Sequence, residues 1–226
     1  MCGRGSLTKV EKDLEARFGS SFYSEDLERY NPLPSFNIAP TQWHPVILQD
    51  DPEHFHYLKW GLIPSWAKDA KIGSKMINAR SETLLEKPVF KSALKSRRCL
   101  IPFDGFYEWK LTESTIKKPY RIKVTDVDIF ALAGLFDRWK NADGSWIGSF
   151  TIITQEANEF MKQLHDRMPA ILRKEQERMW LDQNLPVEQC LKLIEPYPDD
   201  LMIAYPVSLS VNNVRNNDAT LIEEVK

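Results

Sequence analysis

Residues 98–110 read RCLIPFDGFYEWK and predict β-structure on both sides of Asp104 and Gly105. The segment CLIPF is an apolar run typical of a strand. Side chains alternate along DGFYEWK, and the alternation predicts two faces, one with Phe106, Glu108 and Lys110 and one with Tyr107 and Trp109. The carboxylate of Glu108 therefore falls in a run that is otherwise suited to burial.

Outward from this segment, apolar runs and helical periodicity predict the remaining elements. Further strands are expected at 45–49, 54–60, 119–124, 128–135, 148–154 and 201–207. Helices are expected at 9–18, 81–96, 155–165, 173–181 and 187–195. A capping box of Thr8 and Glu11 marks the start of the first helix, whereas residues 61–80 show no period and are predicted to be a loop. No repeat or linker divides the chain, so we expect one α+β domain over 1–226, with antiparallel or mixed β-structure.

Composition excludes several classes of protein. The chain has 226 residues, is 42% hydrophobic and carries a formal net charge of −2, so a core can form but no overall basic field attracts nucleic acid. Three cysteines without paired spacing argue against a disulfide framework and against structural zinc. An apolar leader and a membrane-spanning stretch are both lacking, so a cytoplasmic protein in a reducing compartment is expected.

The sequence MCGR places Cys2 directly after Met1. Removal of Met1 would leave an α-amine beside the thiol, with pKa values of roughly 8 and 8.5. Such a 1,2-aminothiol suits an aldehyde, because the amine forms an imine and the thiol then closes a five-membered thiazolidine. Position alone requires no role for Cys2, so on this ground an incidental cysteine is the favoured interpretation and a functional one is the alternative.

The other cysteines and the histidines have simpler interpretations. Cys99 and Cys190 lie in apolar periodic segments and are expected in the core. His54 and His56 share one face of a strand, as a metal-ligand pair or as part of a solvated surface, the latter being favoured because no third ligand is suggested. His165 lies at the end of a predicted helix, where interaction with the helix dipole is the favoured interpretation and a functional role the alternative.

Polar residues inside structured segments are the remaining candidates. Glu108 either pairs with a basic residue in a structural network or is an acid–base group with a raised pKa, and the residues alone leave both open. Asn78 has an amide that can orient a reacting group, and Arg80 has a fork suited to phosphate. Taken alone, loop scaffolding is the favoured interpretation of each.

Taken together in order, the motifs resemble those of the SRAP family, the SOS response-associated peptidases that act as abasic-site crosslinking proteins. The resemblance covers nearly the whole chain. The matching segments are MCGR, FNIAPTQ, WGLIPSW, INARSET, RRCLIPFDGFYEW, KPY, LAGLFD, FTIITQEAN, HDRMPAIL and VNNVRNND.

The resemblance implies a fold and an activity. The fold would be a compact α+β domain with barrel-like β-structure, flanking helices and a DNA-binding groove. The activity would be covalent capture of an abasic site in single-stranded DNA or at a junction of single and double strand, which protects the lesion. Self-processing peptidase activity and weak lyase activity would accompany it, in a monomer without cofactor or metal that associates with the nucleoid.

The resemblance also assigns roles to residues. Cys2 would be the nucleophile after loss of Met1, Glu108 would shuttle protons, His165 would act on the sugar oxygen, and Asn78 would orient the amine or the lesion. The residues expected to contact DNA are Arg4, Asn37, Pro40, Trp66, Arg80 and Arg167. Some family members carry a second aromatic residue after this tryptophan, where Ala67 stands here, so base stacking is expected to differ.

Two rival functions are compatible with parts of the sequence. An N-terminal-nucleophile amidohydrolase would also use a processed Cys2, with its own amine as base. A non-catalytic module for single-stranded DNA would leave Cys2 without a role.

Overall fold

The computed structural model describes residues 2–111 and 117–226. More of these residues lie in strands than in helices, because apolar alternation is frequent and long helical periodicity is rare. The strands are β1 (Gly5–Leu7), β2 (Ser21–Phe22), β3 (Ser35–Ile38), β4 (Trp43–Leu48), β5 (Asp51–Trp60), β6 (Asn78–Arg80), β7 (Arg98–Phe103), β8 (Gly105–Lys110), β9 (Lys118–Val124), β10 (Phe130–Lys140), β11 (Trp146–Glu156), β12 (Arg167–Pro169), β13 (Ile171–Leu172) and β14 (Met202–Pro206).

Helices are short and lie between the strands. The α-helices are α1 (Glu11–Phe18), α2 (Ser24–Arg29), α3 (Pro88–Ser96), α4 (Glu159–Lys162), α5 (Lys174–Leu181) and α6 (Val187–Lys192). Short 3₁₀ helices occur at Ala70–Lys75, Ser81–Thr83, Asp199–Leu201, Leu209–Asn212 and Ala219–Ile222. Among the described helices, none has the length and apolar character needed to cross a bilayer.

A closed barrel forms the centre of the molecule. Strands β11, β10, β7, β4 and β5 pair in that order, and β5 pairs in parallel with β11 to close the ring. The rings of Trp60, Phe103 and Phe150 pack together in the core, with centroids 6.1 Å apart for Trp60–Phe103 and 6.2 Å apart for Trp60–Phe150. The predicted α+β class with barrel-like, mixed β-structure is confirmed.

A second sheet lies beside the barrel, with strand order β14-β9-β8-β1-β3. Phe106 of β8 packs in the main core, whereas Tyr107 and Trp109 pack in a separate cluster with Val207 and Val211. This arrangement confirms the two faces that alternation along residues 105–110 predicts. The sheet therefore buries apolar side chains on both faces.

The network around Asp104 corrects the prediction for the first helix. The N-cap of α1 is Val10, whose amide donates to Oδ2 of Asp13 at 3.2 Å, so the predicted capping box of Thr8 and Glu11 is wrong. Thr8 instead donates its hydroxyl and its amide to the carboxylate of Asp104. The Thr8 side chain is thus used in a hydrogen bond to a residue distant in sequence and is not available to cap the helix.

Three other segments also differ from the pattern-based prediction. The predicted loop 61–80 contains a 3₁₀ turn and β6, which pairs with the edge of β11. In 81–96 only the part from Pro88 onward is α-helical, and in 155–165 strand β11 continues to Glu156 before the short α4. At 155–156, pairing of β11 with β12 overrides the helical periodicity.

Candidate active site and nucleic-acid interface

Four elements bring the predicted catalytic residues together. Cys2 precedes β1, Asn78 opens β6, Glu108 lies in β8 and His165 follows α4. The amide Nδ2 of Asn78 donates to the backbone oxygen of Cys2 at 2.7 Å, and the Glu108 carboxylate is close enough to raise the pKa of the Cys2 thiol. Met1, whose removal would free the amine, lies outside the described residues.

The thiol of Cys2 is fully buried. Burial raises its pKa well above the usual range, and the negative charge of Glu108 raises it further. The sulfur is therefore protonated at neutral pH in this state. A proton acceptor next to the thiol is accordingly required if the sulfur is to attack an electrophile.

The carboxylate of Glu108 is well placed to be that acceptor. Its side chain is buried, and burial raises the pKa to about 7, against the lowering effect of the positive charge at the amino terminus. Both protonation states are thus populated near neutrality, which is the condition that favours general acid–base catalysis. The acid–base interpretation of Glu108 fits this environment, and its role stays a prediction.

His165 lies at the end of α4, where its amide donates to the carbonyl of Met161 at 2.8 Å. Its ring is partly buried, and burial lowers its pKa. The Nδ1 atom accepts the amide hydrogen of Arg167 at 2.9 Å and lies 2.8 Å from Oδ1 of Asp166. Since Asp166 also raises the pKa of Glu108, this junction is electrostatically coupled to the Cys2 site.

The side-chain oxygen of Asn78 completes the set of polar groups. Its Oδ1 atom is buried and accepts no hydrogen bond from any residue that the structure describes. The amide nitrogen of the same side chain is already used by the Cys2 carbonyl. Oδ1 is therefore an acceptor available to an amine or a hydroxyl that enters the site.

Among the described aromatic residues, Trp66 has the most exposed side chain. Its ring is 68% exposed, although the backbone around it is fixed. The amide of Ser65 donates to Oδ2 of Asp137 at 3.0 Å, and the indole of Trp139 donates to the Ala67 carbonyl at 2.7 Å. The ring is thus held on a rigid segment, which suits a stacking surface.

Three lysines that the sequence analysis did not single out surround this tryptophan. Lys68, Lys71 and Lys75 are exposed and line one depression with Trp66. Their positions follow the spacing of one face of a helical turn, a signal that the aperiodic surroundings obscure. Asp69 lines the same depression, so three basic residues and one acidic residue lie there beside an exposed ring, a composition that suits the bases and phosphates of a nucleic acid.

Arg4 and Asn37 are engaged within the protein. Asn37 is buried, and its Nδ2 atom donates to the carbonyls of Val211, Asn213 and Asn216. Its Oδ1 atom accepts from Arg4 at 2.8 Å, and the Arg4 guanidinium lies 5.7 Å from the centre of the Trp109 ring. The pair fixes the C-terminal segment beside the site, and their contact with DNA stays a prediction.

The remaining predicted DNA contacts differ in accessibility. Arg80 is exposed at the end of β6, and Pro40 is half-buried in the turn between β3 and β4. Arg167 binds the carboxylate of Glu82 with both terminal nitrogens and donates to the Thr154 carbonyl at 2.8 Å. Within the described part of the chain, the Arg80 side chain makes no hydrogen bond or ion pair, so it can reach a phosphate without giving up one of these residues as a partner.

The predicted strand face of His54 and His56 carries a local hydrogen-bond cluster. Both rings lie 2.9 Å from a carboxylate oxygen of Asp51, and the ring of Tyr23 stacks on His54. Within residues 2–111 and 117–226, no group of three His, Cys, Asp or Glu side chains has an arrangement suited to a metal ion.

Replacement of the buried acid should change how stability depends on pH. The pKa of Glu108 is about 7 in the folded state and about 4.5 in the unfolded state. The free energy of unfolding of the wild type therefore decreases as the pH rises from about 4.5 to about 7. We expect Glu108→Gln to gain roughly 2–3 kcal/mol relative to the wild type between pH 5 and pH 8, in urea unfolding at each pH. Glu188→Gln, which changes an exposed carboxylate, is the control, and a difference that does not vary with pH would contradict this assignment.

Comparison with known proteins places the chain in a family. The sequence profile described as SOS response associated peptidase (SRAP) matches residues 1–214. The abasic site processing protein YoaM of Bacillus subtilis is 45% identical over 99% of this chain and 98% of its own length. The abasic site processing protein HMCES of Xenopus tropicalis is 35% identical over 96% of this chain and 76% of its own length.

A solved structure agrees with these matches. The crystal structure of a protein from Bacteroides thetaiotaomicron superposes with a TM-score of 0.91, at 29% sequence identity and over 100% of both chains. The similarity therefore extends to the barrel and to the second sheet that carries Glu108. On the family profile, the full-length relatives and this fold, the chain belongs to the SRAP family.

Proposed function

We propose that this protein processes abasic sites in DNA by forming a covalent crosslink through Cys2. The relatives YoaM and HMCES are named abasic site processing proteins, and the opened deoxyribose of an abasic site carries the aldehyde that an aminothiol captures. The observation that carries the proposal is the buried Cys2 thiol beside the Glu108 carboxylate. Capture would shield the lesion in single-stranded DNA or at a junction.

The reaction is a condensation followed by a ring closure. Hydrolysis of the bond after Met1 consumes one water and frees the Cys2 amine. The amine adds to the aldehyde carbon and one water leaves, which forms an imine. The sulfur then bonds to that carbon, and the thiol proton passes to the imine nitrogen, so the thiazolidine forms with a net loss of one water.

The neighbouring residues supply proton transfer and orientation. Glu108 takes the thiol proton and returns it to nitrogen, a transfer that its pKa of about 7 favours near neutral pH. Asn78 holds the Cys2 carbonyl with Nδ2, and its Oδ1 atom accepts a hydrogen from the attacking amine. His165 donates a hydrogen bond to the sugar oxygen and so promotes opening of the ring.

Two further activities follow from the same groups. Glu108 can activate the water that removes Met1, which would account for the peptidase in the family name. The imine also acidifies the neighbouring sugar carbon, so β-elimination before ring closure would give weak lyase activity. No metal or cofactor takes part in any of these steps, and we expect the protein to act as a monomer.

Flanking DNA would bind to the surface around Trp66. The indole stacks on a base, and Lys68, Lys71 and Lys75 hold phosphates beside it. Arg80 reaches a phosphate nearer the lesion, and Arg4, Asn37, Pro40 and Arg167 shape the groove. Ala67 removes a second stacking ring, so binding to the base pair of a junction would depend on Trp66.

The proposal is tested with a single-stranded oligonucleotide that contains uracil, with and without uracil-DNA glycosylase. On a denaturing gel we expect a heat-stable shifted band that requires the abasic site and is absent in Cys2→Ala. Glu108→Gln should form the same band more slowly, by about 100-fold as for loss of a general base. Cys99→Ala removes a buried cysteine remote in sequence and serves as the matched control for loss of a thiol.

Other outcomes would support the rival functions. Release of product from a small amide by wild-type protein, with no adduct on DNA, would indicate an N-terminal-nucleophile amidohydrolase. Equal, reversible binding to intact and abasic DNA, unchanged in Cys2→Ala, would indicate a single-strand binding module. Either result would overturn the crosslinking proposal.

The DNA-binding surface is tested separately from the covalent step. An oligonucleotide with a tetrahydrofuran abasic analogue carries no aldehyde, so fluorescence anisotropy measures reversible binding alone. We expect Trp66→Ala to weaken binding by about tenfold, because stacking on one base contributes about 1–3 kcal/mol. Trp146→Ala is the matched control, since its ring is 65% exposed on the β10–β11 hairpin, and equal losses in both variants would contradict a specific role for Trp66.

A further inference from the structure

The Nδ1 atom of His165 has two neighbours that make opposite demands. The backbone amide of Arg167 donates to Nδ1 at 2.9 Å, which requires a lone pair on that nitrogen. Oδ1 of Asp166 lies 2.8 Å from the same atom, and a carboxylate oxygen at that distance is stabilised only by a proton on the nitrogen. A ring with no proton on Nδ1 can accept from the Arg167 amide, whereas a ring with a proton on Nδ1 can donate to the Asp166 carboxylate.

Each state places the ring protons differently. In the neutral ring that accepts from Arg167, the single proton is on Nε2, and the ring acts as a hydrogen-bond donor. In the imidazolium, Nδ1–H pairs with Asp166, and Nε2–H can be given away because the remaining neutral tautomer keeps its bond to the carboxylate. Asp166 therefore favours the form of His165 that can act as an acid.

Other charges near the ring act in both directions. The amino terminus and Lys117 disfavour the imidazolium, as does burial of the ring, whereas Asp166 favours it. The Arg167 guanidinium is bound to Glu82 and Thr154. Asp166 also raises the pKa of Glu108, so removal of its charge affects both His165 and Glu108.

We propose that Asp166 is a positioning residue that converts His165 from a hydrogen-bond donor into a general acid for opening of the abasic sugar. This inference rests on the proposed function. In the step, Nε2 gives its proton to the ring oxygen of the sugar as the bond from that oxygen to the anomeric carbon breaks. The anomeric hydroxyl loses its proton to the Glu108 carboxylate, and its electron pair forms the carbonyl of the aldehyde.

The exposure of Asp166 sets the size of the expected effect. Its side chain is 86% exposed, so water screens the ion pair and the shift is smaller than for a buried pair. Asp166→Asn preserves the shape and removes the charge. We expect it to lower the pKa of His165 by about 0.5–1 unit.

The first test measures this pKa in the free protein, without DNA. Proton NMR titration follows the imidazole signals of wild type, Asp166→Asn and the control Asp128→Asn, with His165→Gln used to assign the signal. A shift in Asp166→Asn alone supports the pairing. A shift below about 0.2 unit, or an equal shift in Asp128→Asn, would overturn it.

The second test measures the role in the reaction. Single-turnover rates of crosslink formation, measured between pH 5 and pH 8, should fall as His165 loses its proton. In Asp166→Asn, the pH at which the rate falls should be lower by the same amount as the pKa of His165 measured by NMR. The final yield of crosslink should be unchanged. Asp166→Glu should return this pH part of the way to the wild-type value. An unchanged pH dependence in Asp166→Asn overturns the acid role, whereas a lack of any wild-type crosslink overturns the proposed function and leaves the NMR titration to decide the pairing.

Discussion

The buried carboxylate of Asp104 fixes the strand that carries the N-terminal residues. It accepts hydrogen bonds from the Ser6 hydroxyl at 2.7 Å and the Thr8 amide at 2.7 Å, and it pairs with Arg121 at 3.0 Å. Charge-assisted bonds in a buried setting hold geometry tightly. Because Asp104 joins β7 of the barrel to β8 of the second sheet, this network sets β1 against β8 and so places Cys2 beside Glu108.

Close backbone approach is part of the same constraint. A Cβ atom on Gly105 would lie 2.7 Å from Nε of Arg121, and one on Gly5 would lie 2.7 Å from the Phe103 ring. Glycine at both positions lets β1 and β8 pair while Arg121 reaches Asp104. The same sheet buries the carboxylate of Glu108. This burial is destabilising, because an apolar side chain at this position would give a more stable fold. A buried carboxylate in an otherwise apolar strand lowers stability, and such departures from the apolar pattern are expected at functional sites.

The sequence predicts the parts of this structure that depend on short-range patterns. Alternation in 105–110 predicts the two faces of β8, and the ordered motifs lead to the fold and to Cys2, Asn78, Glu108 and His165 as a set. The prediction fails at Thr8, because its partner Asp104 is distant in sequence. The burial of Asn37 is missed for the same reason, since its partners are carbonyls near the C-terminal end.

The measurement that tests the central claim most directly is the mass of the adduct and its site. After incubation with an abasic oligonucleotide, the mass under denaturing conditions should equal that of the chain without Met1 plus the oligonucleotide, minus one water. Digestion should place the modification on the peptide that begins with Cys2, with no thiol left there to alkylate. An adduct on a lysine, or a Cys2 thiol that still reacts with iodoacetamide in the adduct, would contradict capture of the aldehyde by the aminothiol.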